Sequence, residues 1–291
     1  MQPLSGAAAS ACAAAALIAF SGNSLLARVA LGGGHIDAAT FTLVRLVSGA
    51  AVLLVLTALT RPPATLTAAA GRGWVPAAAL FAYAAAFSFA YLRLHAGTGA
   101  FILFGAVQVT MIGWGLAKGE RPGLLTWLGL VLALGGLAAL TRPAADAADT
   151  TAAGLMALAG VAWGAYSLLG RGGIDPIGAT TVNFALSVPL AAGLSAIAFA
   201  AARASTVGVL LAVTSGALAS GVGYTFWYAA LPSLTATRAA IAQLIVPVMT
   251  AAAAVALLGE TVTVGLVTAG TAIVAGVLIA LLASRRASEA S

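Results

Sequence analysis

The 291-residue chain is 62% hydrophobic and only 7% charged, where soluble domains carry roughly a quarter charged residues. So few charges cannot solvate the surface of a soluble fold this size, which excludes soluble, disordered and fibrous chains and leaves an all-α integral membrane protein. The net charge of +6 is spread singly between apolar runs, as membrane-flanking charges are, so no nucleic-acid surface is predicted.

A helix crossing the hydrocarbon core needs about 20 apolar residues. Uncharged runs of that size predict ten transmembrane helices, over 8–31, 38–60, 74–94, 97–117, 122–141, 152–170, 178–202, 207–230, 235–257 and 262–283. The first is read as a retained span, because no Lys or Arg precedes Arg28 and the apolar stretch outruns a signal-peptide core. It holds Cys12, the single cysteine, which forms no intrachain disulfide and no cysteine metal site. It also places Phe20, Asn23 and Ser24 on one helical face, at i, i+3 and i+4.

Span two carries Arg45 near a helix end, span three Tyr83 near its middle and span four Gln108. The links Arg93 to Gly97, Lys118 to Pro122 and Gly259 to Thr263 leave room only for tight reversals, so the helices they join are antiparallel neighbours. Pro122 and Pro176 are expected just inside helix starts, the latter behind Asp175 as an N-cap. Span six repeats the pattern of span one with Trp163, Tyr166 and Ser167. Pro189 in span seven and Pro247 in span nine are expected to interrupt their helices and act as hinges.

Tyr224, Trp227 and Tyr228 fall near the predicted end of span eight and read as an interfacial aromatic belt, as do Trp74, Trp114 and Trp127 at other span ends. Gly216 with Ser220, and Ala272 with Gly276, are spaced for close helix approach. Gln243 in span nine, with Asn23, Gln108 and Asn183, completes the mid-span amides. Placing both termini in the cytoplasm puts Arg61, Arg72, Lys118, Arg121, Arg171, Arg238, Arg285 and Arg286 inside, against Arg28, Arg45, Arg93, Arg142 and Arg203 outside. The positive-inside rule favours that orientation, and an inner (plasma) membrane location is expected.

The two halves echo each other. Ser24-Leu25-Leu26-Ala27-Arg28 returns as Ser167-Leu168-Leu169-Gly170-Arg171, 143 positions on, Ile36-Asp37 as Ile174-Asp175 after 138, and Gly119-Glu120 as Gly259-Glu260 after 140. Five spans per copy is an odd number, so the copies, 1–145 and 146–291, enter the membrane from opposite sides as two inverted five-helix repeats forming one transport domain.

The stretch Thr40 to Ala50, the run Lys118 to Leu140 and its partner Leu258 to Leu281 resemble the EamA-type transporters of the drug/metabolite transporter superfamily. Within that superfamily the chain is similar to the YddG-type exporters of aromatic and other neutral amino acids. The resemblance covers essentially the whole chain and assigns Arg45, Glu120 and Glu260 to family-pattern positions. Their place near helix ends favours a structural role over substrate contact.

The residues expected to bind substrate are Phe20, Asn23, Ser24, Tyr83, Gln108, Trp163, Tyr166, Ser167 and Gln243. Aromatic faces would stack on an apolar side chain while amides and hydroxyls bond the polar end of a small zwitterion such as an amino acid. Helix packing is the alternative role for the same residues. All seven acidic residues lie in loops, at boundaries or in the tail, and His35 and His95 at boundaries, so no embedded proton relay is predicted. An anionic substrate would call on Arg45 or Arg238. No metal cluster, nucleophile elbow or phosphate loop occurs, and no enzyme activity, cofactor or metal is expected. The reading is a secondary exporter acting in the bilayer, with a small-molecule partner and no need for an oligomer. A nucleotide-sugar or drug transporter of the same superfamily and a non-transporting scaffold are the alternatives.

Overall fold

The computed structural model describes residues 6–62, 74–94, 96–141, 149–171, 175–258 and 262–289. Its helices are α1 (Gly6–Gly32), α2 (Ala38–Thr60), α3 (Val75–Ala90), α4 (Ala96–Ala117), α5 (Leu124–Thr141), α6 (Thr150–Leu169), α7 (Pro176–Ile197), α8 (Thr206–Ser233), α9 (Ala236–Leu257) and α10 (Val264–Glu289). Seven of these are long and apolar enough to cross a membrane, while α3 and the apolar parts of α4 and α5 are shorter. The third span, expected over 74–94, is a 16-residue helix. Its chain turns at Tyr91–Leu94, where Arg93 pairs with Asp149 at 2.8 Å.

Several helix starts are set by local chemistry. Asp37 accepts from the Thr40 N–H, Asp149 from Ala152, Asp175 from Ile177, Ser205 from Gly208 and Thr235 from Arg238, each satisfying a backbone donor that the first turn leaves free. Pro176 occupies the first turn behind Asp175, as expected. Pro122 instead precedes α5, which begins at Leu124.

Two helices depart from regular α geometry, which the apolar pattern did not signal. Arg28–Gly32 at the end of α1 and Ser215–Val222 inside α8 are π-helical. The two expected proline hinges diverge. In α9 the helix breaks at Leu244, between Gln243 and Ile245, because Pro247 has no N–H to offer the Gln243 carbonyl. In α7 no break forms, which corrects the expected interruption: the helix runs unbroken through Pro189, and its ring lies on the exposed face.

The bundle is apolar outside, and its largely apolar core encloses a minority of polar side chains. Leu59, Val109, Ile197 and Val264 are at least 77% exposed, whereas Thr42, Arg45, Gln108, Ser187 and Gln243 are buried. This distribution suits a hydrocarbon surround, where polar groups must find partners within the protein. Between helices in lipid the water-driven hydrophobic term is absent and close packing takes over. At Gly276 on α10 an added Cβ would come within 2.5 Å of the Gly129 carbonyl and the Ala133 N–H of α5. At Gly216 on α8 it would overlap the Arg45 carbonyl of α2. Both expected small-residue contacts are therefore present.

The helix pairings come in matched sets. α1 packs on α8 and α9 as α6 packs on α3 and α4, α2 reaches α8 as α7 reaches α3, and α2 with α7, α4 with α9 and α5 with α10 pair face to face. Loop contacts sort into two ends. At one, Ile36 and Ala204 form an isolated antiparallel bridge, and Asp37 accepts from the Arg203 N–H at 2.9 Å. At the other, Arg61 pairs with Asp175 at 3.3 Å and Glu120 lies beside Arg171 and the start of α9. Among the described residues the α1–α2 and α7–α8 connections thus meet at one end, and the α2–α3, α4–α5, α6–α7 and α8–α9 connections at the other.

Candidate functional site

Aromatic side chains from both halves converge in the bundle's centre. Phe20 of α1 meets Trp163 of α6 edge-on at 5.1 Å between centroids and Tyr224 and Trp227 of α8 at 5.7 and 5.6 Å. Tyr83 of α3 lies 5.1 Å from Trp163, and Trp163 4.8 Å from Tyr224. Each such pair contributes roughly 0.5–1.5 kcal/mol beyond area burial. Together they fill most of the bundle's centre.

A central cavity remains, lined by Phe20, Asn23, Ser24, Tyr83, Phe87, Leu103, Phe104, Trp163, Tyr224, Gln243 and Val246. Its volume of about 20 Å³ holds about one water. Any larger solute therefore requires the aromatic walls to separate.

Six of the nine expected binding residues line this cavity: Phe20, Asn23, Ser24, Tyr83, Trp163 and Gln243. Their polar atoms are largely engaged within the protein. Asn23 Oδ1 accepts from the Ser215 hydroxyl, Gln243 Oε1 from the Trp163 indole N–H, and Ser24 donates to the Phe20 carbonyl of its own helix. The other three stand behind the wall. Tyr166 packs 5.9 Å from Trp163, with its hydroxyl 3.5 Å from Asn183 Nδ2, and Ser167 accepts from the Trp227 indole at 3.2 Å. Gln108 donates to the Ala240 carbonyl of α9 at 2.8 Å, and its Oε1 is buried without a partner.

The Tyr224, Trp227 and Tyr228 group is not an interfacial belt. These residues are 1%, 0% and 4% exposed and pack on α1 and α6. α8 continues to Ser233, so the group lies deeper than its distance from residue 230 implies. Trp74, Trp114 and Trp127 are exposed, as residues at a bilayer interface are.

Arg45 is the feature the linear reading underrated. It is 1% exposed, two turns into α2, and directly behind the cavity wall. Its Nε donates to Ser220 at 3.0 Å and its Nη2 to the Tyr224 and Tyr83 hydroxyls at 2.8 and 3.4 Å. The helical depth of residue 45 carried this signal, outweighed by its proximity to the span boundary.

The Gly-Glu pair has a separate, structural role. Gly119 at φ 89° reverses the chain after α4, a conformation glycine adopts without strain. Glu120 then reaches the start of α9, where its two oxygens accept from the Ala236 and Thr237 N–H groups at 2.7 and 3.0 Å, with Arg171 at 3.9 Å. Its counterpart Glu260 lies outside the described residues, as do His95, Arg72 and Arg142. Among the described residues no group of three or more His, Cys, Asp or Glu is placed to hold a metal ion.

Residues 150–282 match the model of the EamA-like transporter family. An uncharacterized protein of Pseudomonas aeruginosa is 51% identical over 266 residues, covering 91% of this chain and 92% of the relative. A crystal structure described only as that of a protein superposes with a TM-score of 0.74 over 94% of this chain and 99% of that one, at 18% identity. That likeness establishes the fold.

Proposed function

Because residues 150–282 match the EamA-like transporter family, we propose that the chain is a secondary exporter of small zwitterionic metabolites, chiefly aromatic and other neutral amino acids. Transport runs by alternating access between two inverted five-helix repeats, 1–145 and 146–291. The observation that carries this reading is the central cavity, walled by α1, α3 and α4 from one half and by α6, α8 and α9 from the other. The matched helix pairings across the bundle support the inverted relation.

In this reading the aromatic wall of Phe20, Tyr83, Trp163 and Tyr224 receives the substrate side chain, while Asn23, Ser24 and Gln243 exchange their internal hydrogen bonds for the polar end. The Ile36–Ala204 bridge with Asp37, and the Arg61–Asp175 pair, close opposite ends of the path. Opening one while the other holds is what alternating access requires. The break at Leu244 before Pro247 supplies a hinge in α9. The end carrying Arg61, Lys118, Arg121, Arg171 and Arg238 faces the cytoplasm of an inner membrane, with both chain termini on that side.

The test is efflux from proteoliposomes loaded with labelled phenylalanine, threonine or a nucleotide sugar. Phenylalanine is expected to leave fastest, and Trp163→Ala to slow it at least several-fold. No amino-acid flux, or flux indifferent to Trp163→Ala, overturns the assignment.

A further inference from the structure

The transport reading assigns the zwitterion's polar end to amides and hydroxyls, which leaves Arg45 without a task. Its guanidinium is permanently charged and wholly buried, yet every hydrogen-bond acceptor it has is neutral: the Ser220, Tyr83 and Tyr224 hydroxyls. Among the described residues no carboxylate pairs with it, and its Nη1 is buried with no partner at all. A buried charge lacking a counter-ion is costly in a low-dielectric interior. A pin between α2, α3 and α8 could be made from a neutral amide at much lower cost.

Position narrows the role. The guanidinium carbon sits 5.2 Å from the Tyr83 ring centroid and 5.7 Å from that of Phe87. Both rings, and Tyr224, line the central cavity. One layer of side chains therefore separates the charge from the transport path, and two of those side chains are tyrosines whose hydroxyls already occupy its donor edge. The π-helical turn of α8 brings Ser220 to Nε, fixing the plane of the fork. A planar fork with two N–H groups on one edge matches a carboxylate in two-point contact.

We propose that Arg45 is the anion anchor of the transport site, its Nη1–Nη2 edge taking the carboxylate of an aryl or alkyl monocarboxylate once Tyr83 and Tyr224 swing aside. This rests on the transport reading and sharpens it: the carboxylate is the group recognised by charge, while the amino group meets only the neutral oxygens of Asn23, Ser24 and Gln243, no described acidic side chain lying at mid-span to pair with it. Binding also neutralises the buried charge, so the loaded site closes more readily than the empty one.

The test uses the full-length wild-type protein in detergent at pH 7, reading tryptophan fluorescence and thermal shift during titration with four probes. L-phenylalanine and 3-phenylpropionate should bind within about threefold of one another. L-phenylalaninamide and phenethylamine should bind at least tenfold more weakly. Arg45→Lys should weaken acid binding at least tenfold and Arg45→Gln should abolish it. Comparable binding of amide and acid, undiminished acid binding by Arg45→Gln, or no binding of any probe overturns the proposal. If Arg45→Gln fails to fold, the wild-type probe series decides alone. Phenylalanine flux that persists while amide and acid bind alike removes the anchor and leaves the transport reading standing. Absence of any flux removes both.

Discussion

Replacing Glu120 by glutamine tests whether the Gly-Glu turn stabilises the bundle by capping α9. Both carboxylate oxygens are used, accepting from Ala236 and Thr237 at 2.7 and 3.0 Å. A glutamine keeps one acceptor and turns an amide NH₂ toward the other backbone N–H. A lost charge-assisted bond costs about 1.5–3 kcal/mol, and the missing negative charge at a helix N-terminus about 0.3–1 kcal/mol. The Glu120 side chain is 22% exposed and Arg171 27%, so solvent screens part of both terms and a net loss of about 2 kcal/mol is expected. The pH dependence adds a second signature. Burial pushes the Glu120 carboxyl up, but hydrogen bonds from Thr237 and Ala236 and the Arg171 charge outweigh it and hold it below its ordinary 4.5. A depressed native value means that the stabilisation is complete above about pH 4.5 and drains away as the pH falls through the folded value. Thermal unfolding of detergent-solubilised wild type and Glu120→Gln from pH 3 to 8 should therefore show a constant gap above pH 5 that narrows in acid. Equal melting temperatures at pH 7, or a gap that widens in acid, refute the capping account.

Three further outcomes follow from the packing and the ends of the path. Gly276→Ala forces a Cβ against the α5 backbone and should cost about 1–3 kcal/mol of stability, whereas Leu278→Ala at an exposed position of the same helix should melt within a degree of wild type. Asp37→Asn keeps an N-cap for α2 but loses the acceptor for the Arg203 N–H. In a Cys12→Ser background, a cysteine at Ser24 should then label several-fold faster with an impermeant maleimide added from the end that carries Ala204. Pro247→Ala restores an N–H to the broken turn of α9 and should raise thermal stability while slowing transport several-fold. Faster transport by that variant would argue against a hinge.

The sequence made the helical framework readable because each span is a long uncharged run bounded by Arg, Gly or Pro. Phe20, Asn23, Ser24 and Trp163 reached the cavity by the same logic, since i, i+3 and i+4 spacing fixes a face and the 143-residue echo links α1 to α6. Depth and partnership were harder to see. Tyr224 looked interfacial because counting from residue 230 ignores both the π-helical turn and the extension of α8 to Ser233. Pro189 looked like a break because the sequence does not tell which side of a helix meets lipid, and α7 tolerates the ring on its exposed side. Ser167 and Gln108 have the right chemistry but spend it on Trp227 and Ala240, partners far away in the chain. Arg45 was visible as an embedded charge, while its unpartnered Nη1 exists only in the folded arrangement.

The central claim is that the two ends open alternately around one central site. Spin-label pairs replacing Gly32 and Thr206 at one end, and Thr60 and Ile177 at the other, report both distances by pulsed electron resonance in lipid. The account predicts two populations, each with one pair short and the other lengthened, whose ratio shifts when L-phenylalanine is added. Distances that lengthen together, or that stay fixed while the same liposomes carry out phenylalanine flux, would contradict it.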